Sequence, residues 1–534
     1  IKVTGGDVQV GSAVTVDTSG INVTGVVTAT SYRGDGSQLS GIEAAPTIQL
    51  TADGNIGIHS GVIVTSAGKA KKIEAFTAAN GAENAAATDS YLNSNSVNFA
   101  YDDGTGRVMG IYRKITADGS GNYHPMYVVG TRSGNTVTYG SSSNISTADA
   151  YIRFAICNVG TDKFCLFYED GTNLKAVIAT TTSSNTATFG TAVTVANVQN
   201  CDAMTAQTTN TGNVILAYDT AFNNQIRAVL IVISGTSITV GTPLALSGGV
   251  ANYGMDSVWD SIRNNMYLAY SGTVTSEKIN GVSLRETGSG NNIAYGSFST
   301  QLNSQLSIDA REFAIDFDPD TDNFYCIWKY TSNNEGYYNR TNAAYDTANH
   351  TPVWNNAAYQ GLELGGSHSN TTNATGYNMH YDRSMKKFII TNKHSTDGYF
   401  STASVASNRH LSFDSNYAQF HNGYNYYERT TPLGFGAILL PFMTSGTTIK
   451  TVIRQFDSTS LNEDNFIGFS KDAYTDGNTA TINVVGNVTT KTGLTAGKKY
   501  YVRSTGDLSV FAEPTATVVA GRALSATSLL IQPA

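Results

Sequence analysis

Four carboxylates alternate through Asp316-Phe317-Asp318-Pro319-Asp320-Thr321-Asp322, and oxygen donors at that spacing suit a hard cation such as calcium. The run also falls where neighbouring parts of the chain change strand. Asp and Pro are ordinary turn residues, so a solvated turn explains it too. Six of the eight histidines lie between positions 350 and 421, at His350, His368, His380, His394, His410 and His421. Tyrosines crowd the same stretch. An aromatic face stacks on the C–H surface of a sugar while His and Asn bond its hydroxyls. This makes Tyr377, His380, Tyr381, Tyr399, His421, Tyr424, Tyr426 and Tyr427 the candidate receptor-binding residues. Strand packing and cross-strand pairing account for tyrosines as well. No histidine pair has the short spacing of a metal site, and no metal or other cofactor is expected.

Glycoside cleavage needs two carboxyls about 5–10 Å apart across a cleft. Glu312, Asp316, Glu335, Glu363 and Glu428 are available, but none stands in a recognisable motif. A Gly-x-Ser-x-Gly elbow is also missing from the sequence. The chain is therefore expected not to be an enzyme. Cys157, Cys165, Cys201 and Cys326 lack ligand spacing and lie in apolar strand contexts, so free thiols are expected.

Such side chains must be held by strands. One phrase recurs about every fifty residues: a strand-like run ending in tyrosine, a polar turn, then an aromatic or valine followed by Gly-Ser or Gly-Thr. The tyrosines are Tyr112, Tyr168, Tyr218 and Tyr270; the pairs are Gly140-Ser141, Gly190-Thr191, Gly241-Thr242 and Gly296-Ser297. Four strand-sized segments at that period indicate a β-propeller. Seven hairpin pairs can be counted between 68 and 457, with second strands at 107–113, 163–168, 213–218, 265–270, 323–328, 387–391 and 436–442. The seventh unit shows only three strands, so a strand within 62–77 is expected to close the ring.

Residues 1–67 differ. Short apolar alternations such as Val8-Gln9-Val10 and Ile21-Asn22-Val23 are broken by glycines and are too thin to bury a core. They are expected to form a β-rich stalk or attachment segment stabilised by pairing between chains. Residues 458–534 carry further short strands and form a small C-terminal β domain. The chain opens at Ile1 with no initiator Met and no signal peptide, so a removed or preceding segment is expected.

Bulk composition excludes several classes. Only 14% of residues are charged while tyrosine reaches 30, which gives a β-rich chain whose surface is polar through hydroxyls and amides. A net charge of −8, with no basic cluster larger than Lys69, Lys71 and Lys72, argues against nucleic acid. The longest apolar stretch, 228–233, is strand-sized, and membrane insertion is not expected.

The C-terminal stretches Asn465-Phe466-Ile467-Gly468-Phe469-Ser470, Gly493-Leu494-Thr495-Ala496-Gly497 and Ala520-Gly521-Arg522-Ala523-Leu524-Ser525 resemble the C-terminal domain of virion proteins of tailed phages that infect marine bacteria. Gly212-Asn213-Val214-Ile215-Leu216-Ala217-Tyr218 looks like repeats that precede that domain, and Gly25-Val26-Val27-Thr28-Ala29-Thr30-Ser31-Tyr32-Arg33-Gly34-Asp35 looks like repeats in cyanophage tail-fibre proteins. The resemblance implies a homotrimeric fibre or appendage located on a virion, and it carries over no catalytic residues. The expected function is host attachment by multivalent binding of a surface glycan, with residues 1–67 contacting other virion proteins. A purely structural capsid or tail fibre and a glycan-cleaving tailspike are the alternatives. The fifth and sixth units depart from the repeat phrase, which leaves their faces open to specialised use.

Overall fold

Runs such as Val214-Ile215-Leu216-Ala217-Tyr218 are apolar at every position and must lie between two covered surfaces. A computed structural model places them. It describes residues 14–17, 20–23, 46–88, 97–114, 123–148, 153–198, 201, 203–220, 225–246, 254–271, 279–288, 291–299, 308–330, 336–347, 350–354, 359–360, 374–394, 397–414, 418–421, 426–427, 429–443, 447–462, 464–512 and 517–532. The regular elements among these residues are strands. The chain divides into two compact units, Ile1–Pro46 and Thr47–Ala534. In the first, Val14–Asp17 pairs antiparallel with Gly20–Val23.

The second unit contains a seven-bladed β-propeller. Its first six blades are meanders whose first strand is innermost. These inner strands are Val97–Asp102, Ala155–Gly160, Met204–Thr208, Met255–Asp260, Ile308–Asp318 and Ala374–Asp382. Blade seven uses Tyr426–Tyr427 and Thr431–Gly434 as an interrupted inner strand, followed by Ala437–Met443 and Ile449–Gln455. Thr431–Gly434 lies beside Val97–Asp102, so the seventh blade meets the first. Apolar cores lie between blades. Tyr218 packs in one with Phe167, Ala176 and Leu174 of the preceding blade, and Tyr270 in another with Ile215 and Leu230. Each such buried side chain contributes roughly 1.5–3 kcal/mol.

The closing strand is not within 62–77. Ala79–Asn80 and Asn84–Ala87 pair with Ile449–Gln455 and form the outer edge of blade seven. Val62 and Ile63 belong elsewhere because both are fully buried, Val62 in one core and Ile63 in another. An outer blade strand needs only one covered face, and the small residues Ala86 and Ala87 supply it.

The recurrent glycine has a steric cause. A Cβ at Gly140 would stand 2.3 Å from the Asn185 carbonyl oxygen, at Gly190 2.3 Å from that of Thr236, and at Gly241 2.0 Å from that of Asn291. In each case the obstacle is the outer turn of the next blade. Gly81 repeats the relationship, with the Asn135 oxygen at 1.9 Å. Its N–H bonds Ile453 O at 2.8 Å, just as Gly241 N–H bonds Leu230 O at 2.8 Å. Gly81 is thus the repeat glycine of blade seven, supplied from before blade one.

The C-terminal β domain draws on both ends of this unit. Thr47–Thr51 pairs with Thr479–Asn483, and Gly61–Val64 with Phe466–Ser470. Residues 47–67, grouped by sequence with a stalk, therefore share a sheet with 466–483 rather than with 14–23. A second sheet, ordered from Val488–Thr490 through Ser528–Ile531, Val518–Ala523 and Lys499–Val502 to Leu508–Ser509, encloses a core with Ile63, Phe469 and Leu529.

Candidate functional site

Side chains of the inner strands link all seven blade junctions around the axis. Asn98 Nδ2 donates to Phe154 O at 2.7 Å, and Thr208 Oγ1 to Asn158 O at 2.6 Å. Thr205 and Ser257 hydroxyls meet at 2.7 Å, and Asp256 Oδ2 accepts from Ile315 N at 3.0 Å. Asp316 Oδ2 accepts from Tyr381 N, and His380 Nε2 lies 3.0 Å from Thr430 O. Thr431 Oγ1 donates to Phe99 O at 3.1 Å and returns the ring to blade one. His380 Nε2 also lies 2.6 Å from the Thr430 hydroxyl, so one residue of blade seven engages the ring nitrogen twice.

Arg429 crosses this ring. It lies in the break of the interrupted inner strand of blade seven, between Tyr427 and Thr431, yet its guanidinium donates to Met255 O and lies 3.3 Å from both Thr205 Oγ1 and Asp256 Oδ1, in blades three and four. Above it lies a small axial mouth, a recess of about 20 Å³ lined by Asn98, Arg153, Phe154, Ala203, Met204, Met255 and Arg429. These residues stand where inner strands begin. At the other end of the strands, Arg383 bonds Asp464 at 2.9 Å, and Ser66 Oγ donates to Asp103 at 2.7 Å. The C-terminal β domain is therefore attached at the end opposite the mouth.

Burial sets the protonation of the ring. It pushes the Asp316 carboxyl up to about 8, against two backbone N–H donors that favour the anion. His380 is held below its ordinary range by burial, with Arg429 adding to the effect and Asp256 opposing it. The recess is lined by the guanidinium groups of Arg153 and Arg429, the Asn98 amide and apolar walls, a lining whose chemistry suits a hydroxyl- or carboxylate-bearing group.

The predicted receptor-binding residues do not form one surface. Tyr377 is 5% exposed and packs in the core between blades five and six. His380 belongs to the axial ring. Tyr381 packs edge-on against Phe388 and donates from its hydroxyl to Asp320 Oδ2 at 2.8 Å, near the attached β domain. Tyr399 is partly exposed and pairs with Asn392. His421 pairs with Gly398, Tyr426 with Met443 and Tyr427 with Phe442, and for these three only the strand pairing is described. Tyr424 lies outside the described residues, as do Glu335, Glu363 and Glu428.

The alternating aspartates are engaged by protein donors. Asp318 Oδ1 accepts from the N–H of Asp320 at 2.9 Å and closes the turn, and Asp322 Oδ2 pairs with Arg263 at 2.5 Å. Asp102, Asp260 and Asp382 close the equivalent turns of blades one, four and six. Among the described residues, no group of three or more His, Cys, Asp or Glu could hold a metal ion. Sequence reasoning missed Arg153 and Arg429, because Arg153 lies just before its strand and Arg429 in the break of its own, and no repeat of residue type marks either.

No family model and no curated protein matches the chain. Solved structures do. The β-propeller domain of the Trilobed protease from Pyrococcus furiosus matches at 9% identity and a TM-score of 0.39, covering 69% of this chain and 94% of that one. SapL1 lectin, solved with alpha methyl fucoside, matches at 10% identity and 0.35, covering 63% and 98%. Polysaccharide lyase Uly1 matches at 8% identity and 0.41, covering 77% and 100%. The expectation that the chain is not an enzyme is withdrawn: a polysaccharide lyase stands among the solved structures it matches, and a fold by itself does not give a function.

Proposed function

We propose that the chain binds glycans, and that it does so as part of a virion appendage that attaches a tailed phage to its host. The observation that carries the binding reading is the axial mouth: Arg153, Asn98 and Arg429 converge on a recess at the end of the propeller away from the attached β domain. A hydroxyl-rich, weakly charged chain with 30 tyrosines fits a partner of the same character. The virion reading rests on the sequence resemblance and on the order of its three parts. Assembly into a homotrimer with other virion proteins at the N-terminal segment would convert weak single-site affinity into firm attachment.

The test is retention of the purified full chain on immobilised bacterial surface polysaccharides, with released reducing ends measured in the same incubation. Retention that falls about tenfold in Arg153→Ala is expected. A chain retained by none of these polysaccharides leaves the purely structural reading in its place.

A further inference from the structure

Counting from the inner turn, the sixth residue of the second strand is aromatic in six blades: Tyr112, Tyr168, Tyr218, Tyr270, Trp328 and Phe442. Blade six has Asn392 there. The site of an aromatic ring is given to an amide that is 2% exposed, and neither Nδ2 nor Oδ1 has a hydrogen-bond partner. Among the described residues, no other side chain has two buried polar atoms in that state. An orphaned buried polar group costs roughly 1–3 kcal/mol, so this position is unfavourable unless something bonds it.

The surroundings indicate what that is. Asn392 pairs with Tyr399 and Ile390 with Ser401, so these four side chains share one face of the blade. Ile390 packs against Tyr325 and Ile327, so that face is turned to blade five. The Ser401 hydroxyl is also buried and unpartnered. Tyr399 is partly exposed and carries the face out towards solvent. Opposite Asn392 the inner strand bulges between Thr375 and Asn378, which sets Tyr377 beside it. Bulges re-aim side chains next to binding sites.

We infer that the junction of blades five and six is a subsite for one neutral sugar residue, with Asn392 and Ser401 bonding its hydroxyls and Tyr399 against its C–H face. An amide both donates and accepts, as a hydroxyl does, and no charge is needed. This inference rests on the glycan reading above and names a site distinct from the axial mouth.

The test is saturation-transfer NMR of the full chain with the methyl glycosides of galactose, glucose and mannose. At least one is expected to bind the wild type. Binding should weaken at least tenfold in Asn392→Leu, which keeps the branched shape and removes the hydrogen bonds, and several-fold in Ser401→Ala. The melting temperature of Asn392→Leu should match or exceed that of the wild type. Asn392→Tyr, which restores the residue of the other blades, should also abolish binding and serves if the leucine variant does not fold. No binding by the wild type, or unchanged binding in both Asn392 variants, overturns the subsite and leaves only internal water there. A chain still retained by polysaccharide in an Arg153-dependent way would then keep the proposed function without this site.

Discussion

Arg429, at the start of blade seven, lies 3.3 Å from Asp256 Oδ1 in blade four, so one ion pair spans the axis of the propeller. The same carboxylate accepts the Ile315 N–H of blade five at 3.0 Å. Three blades are thereby joined through a single side chain. Arg429→Met leaves Asp256 with one of its partners removed, and hydrogen bonds to charged groups contribute about 1.5–3 kcal/mol. Chemical denaturation should show a loss of that order. Asp256→Asn combined with Arg429→Met should lose less than the sum of the two single changes, because both remove one interaction. Strict additivity would mean that the pair is not coupled.

Asp316 makes stability depend on pH in an unusual direction. Its carboxyl is raised in the folded state to about 8 by burial, above the value near 4 of an unfolded aspartate. Between those values the folded state holds a proton that the unfolded state has released. Stability from this group is therefore present below about pH 4 and declines as pH rises towards 8. His380, held low by burial, acts oppositely and costs stability as pH falls below its unfolded value near 6.5. Asp316→Asn should flatten the decline between pH 4 and 8 in a series of thermal melts. A wild-type curve that rises steadily across that window would contradict the assignment.

Ring closure depends on a contact that one methyl group abolishes. Gly81→Ala places a Cβ 1.9 Å from the Asn135 carbonyl oxygen, whereas Gly288 has nothing within 4 Å of such an atom. Overpacking of this kind costs about 1–3 kcal/mol. Gly81→Ala should lower the melting temperature by several degrees, and Gly288→Ala should leave it unchanged.

Truncation separates the two units. A chain of 47–534 retains every strand of the second unit and should melt as the full chain does. A chain of 89–534 lacks the outer strand of blade seven and the strands that pair with 466–483, and should lose its cooperative transition. Light scattering on the full chain and on 47–534 would show whether residues 1–46 make the trimer. The expected result is a threefold mass for the full chain and a monomer for the shorter one.

Much of the fold was legible because the repeat is steric. A tyrosine near the end of the second strand in blades one to four fills an inter-blade core, and a glycine later in the unit meets the turn of the next blade, so both residue types recur at the spacing of those blades. The glycine at Gly81 escaped notice because it stands before the first repeat rather than after the last. The candidate site was less legible. Tyr377, His380 and Tyr381 are close in sequence, yet alternation and a bulge send one into a core, one into the axial ring and one to the turn end.

The sequence by itself determined the all-β class, the blade repeat and the turn chemistry of Asp102, Asp260, Asp318 and Asp382, since these follow from local sterics and hydrogen bonding within a few residues. It also marked the fifth and sixth units as departures from the repeat phrase. Only the tertiary structure decided what is joined across distance: Gly81 with Asn135, Thr47–Thr51 with Thr479–Asn483, and Arg429 with Asp256. Those pairings arise from closing a ring and burying a sheet between two cores, and no local pattern of residues encodes which distant strand will complete either one.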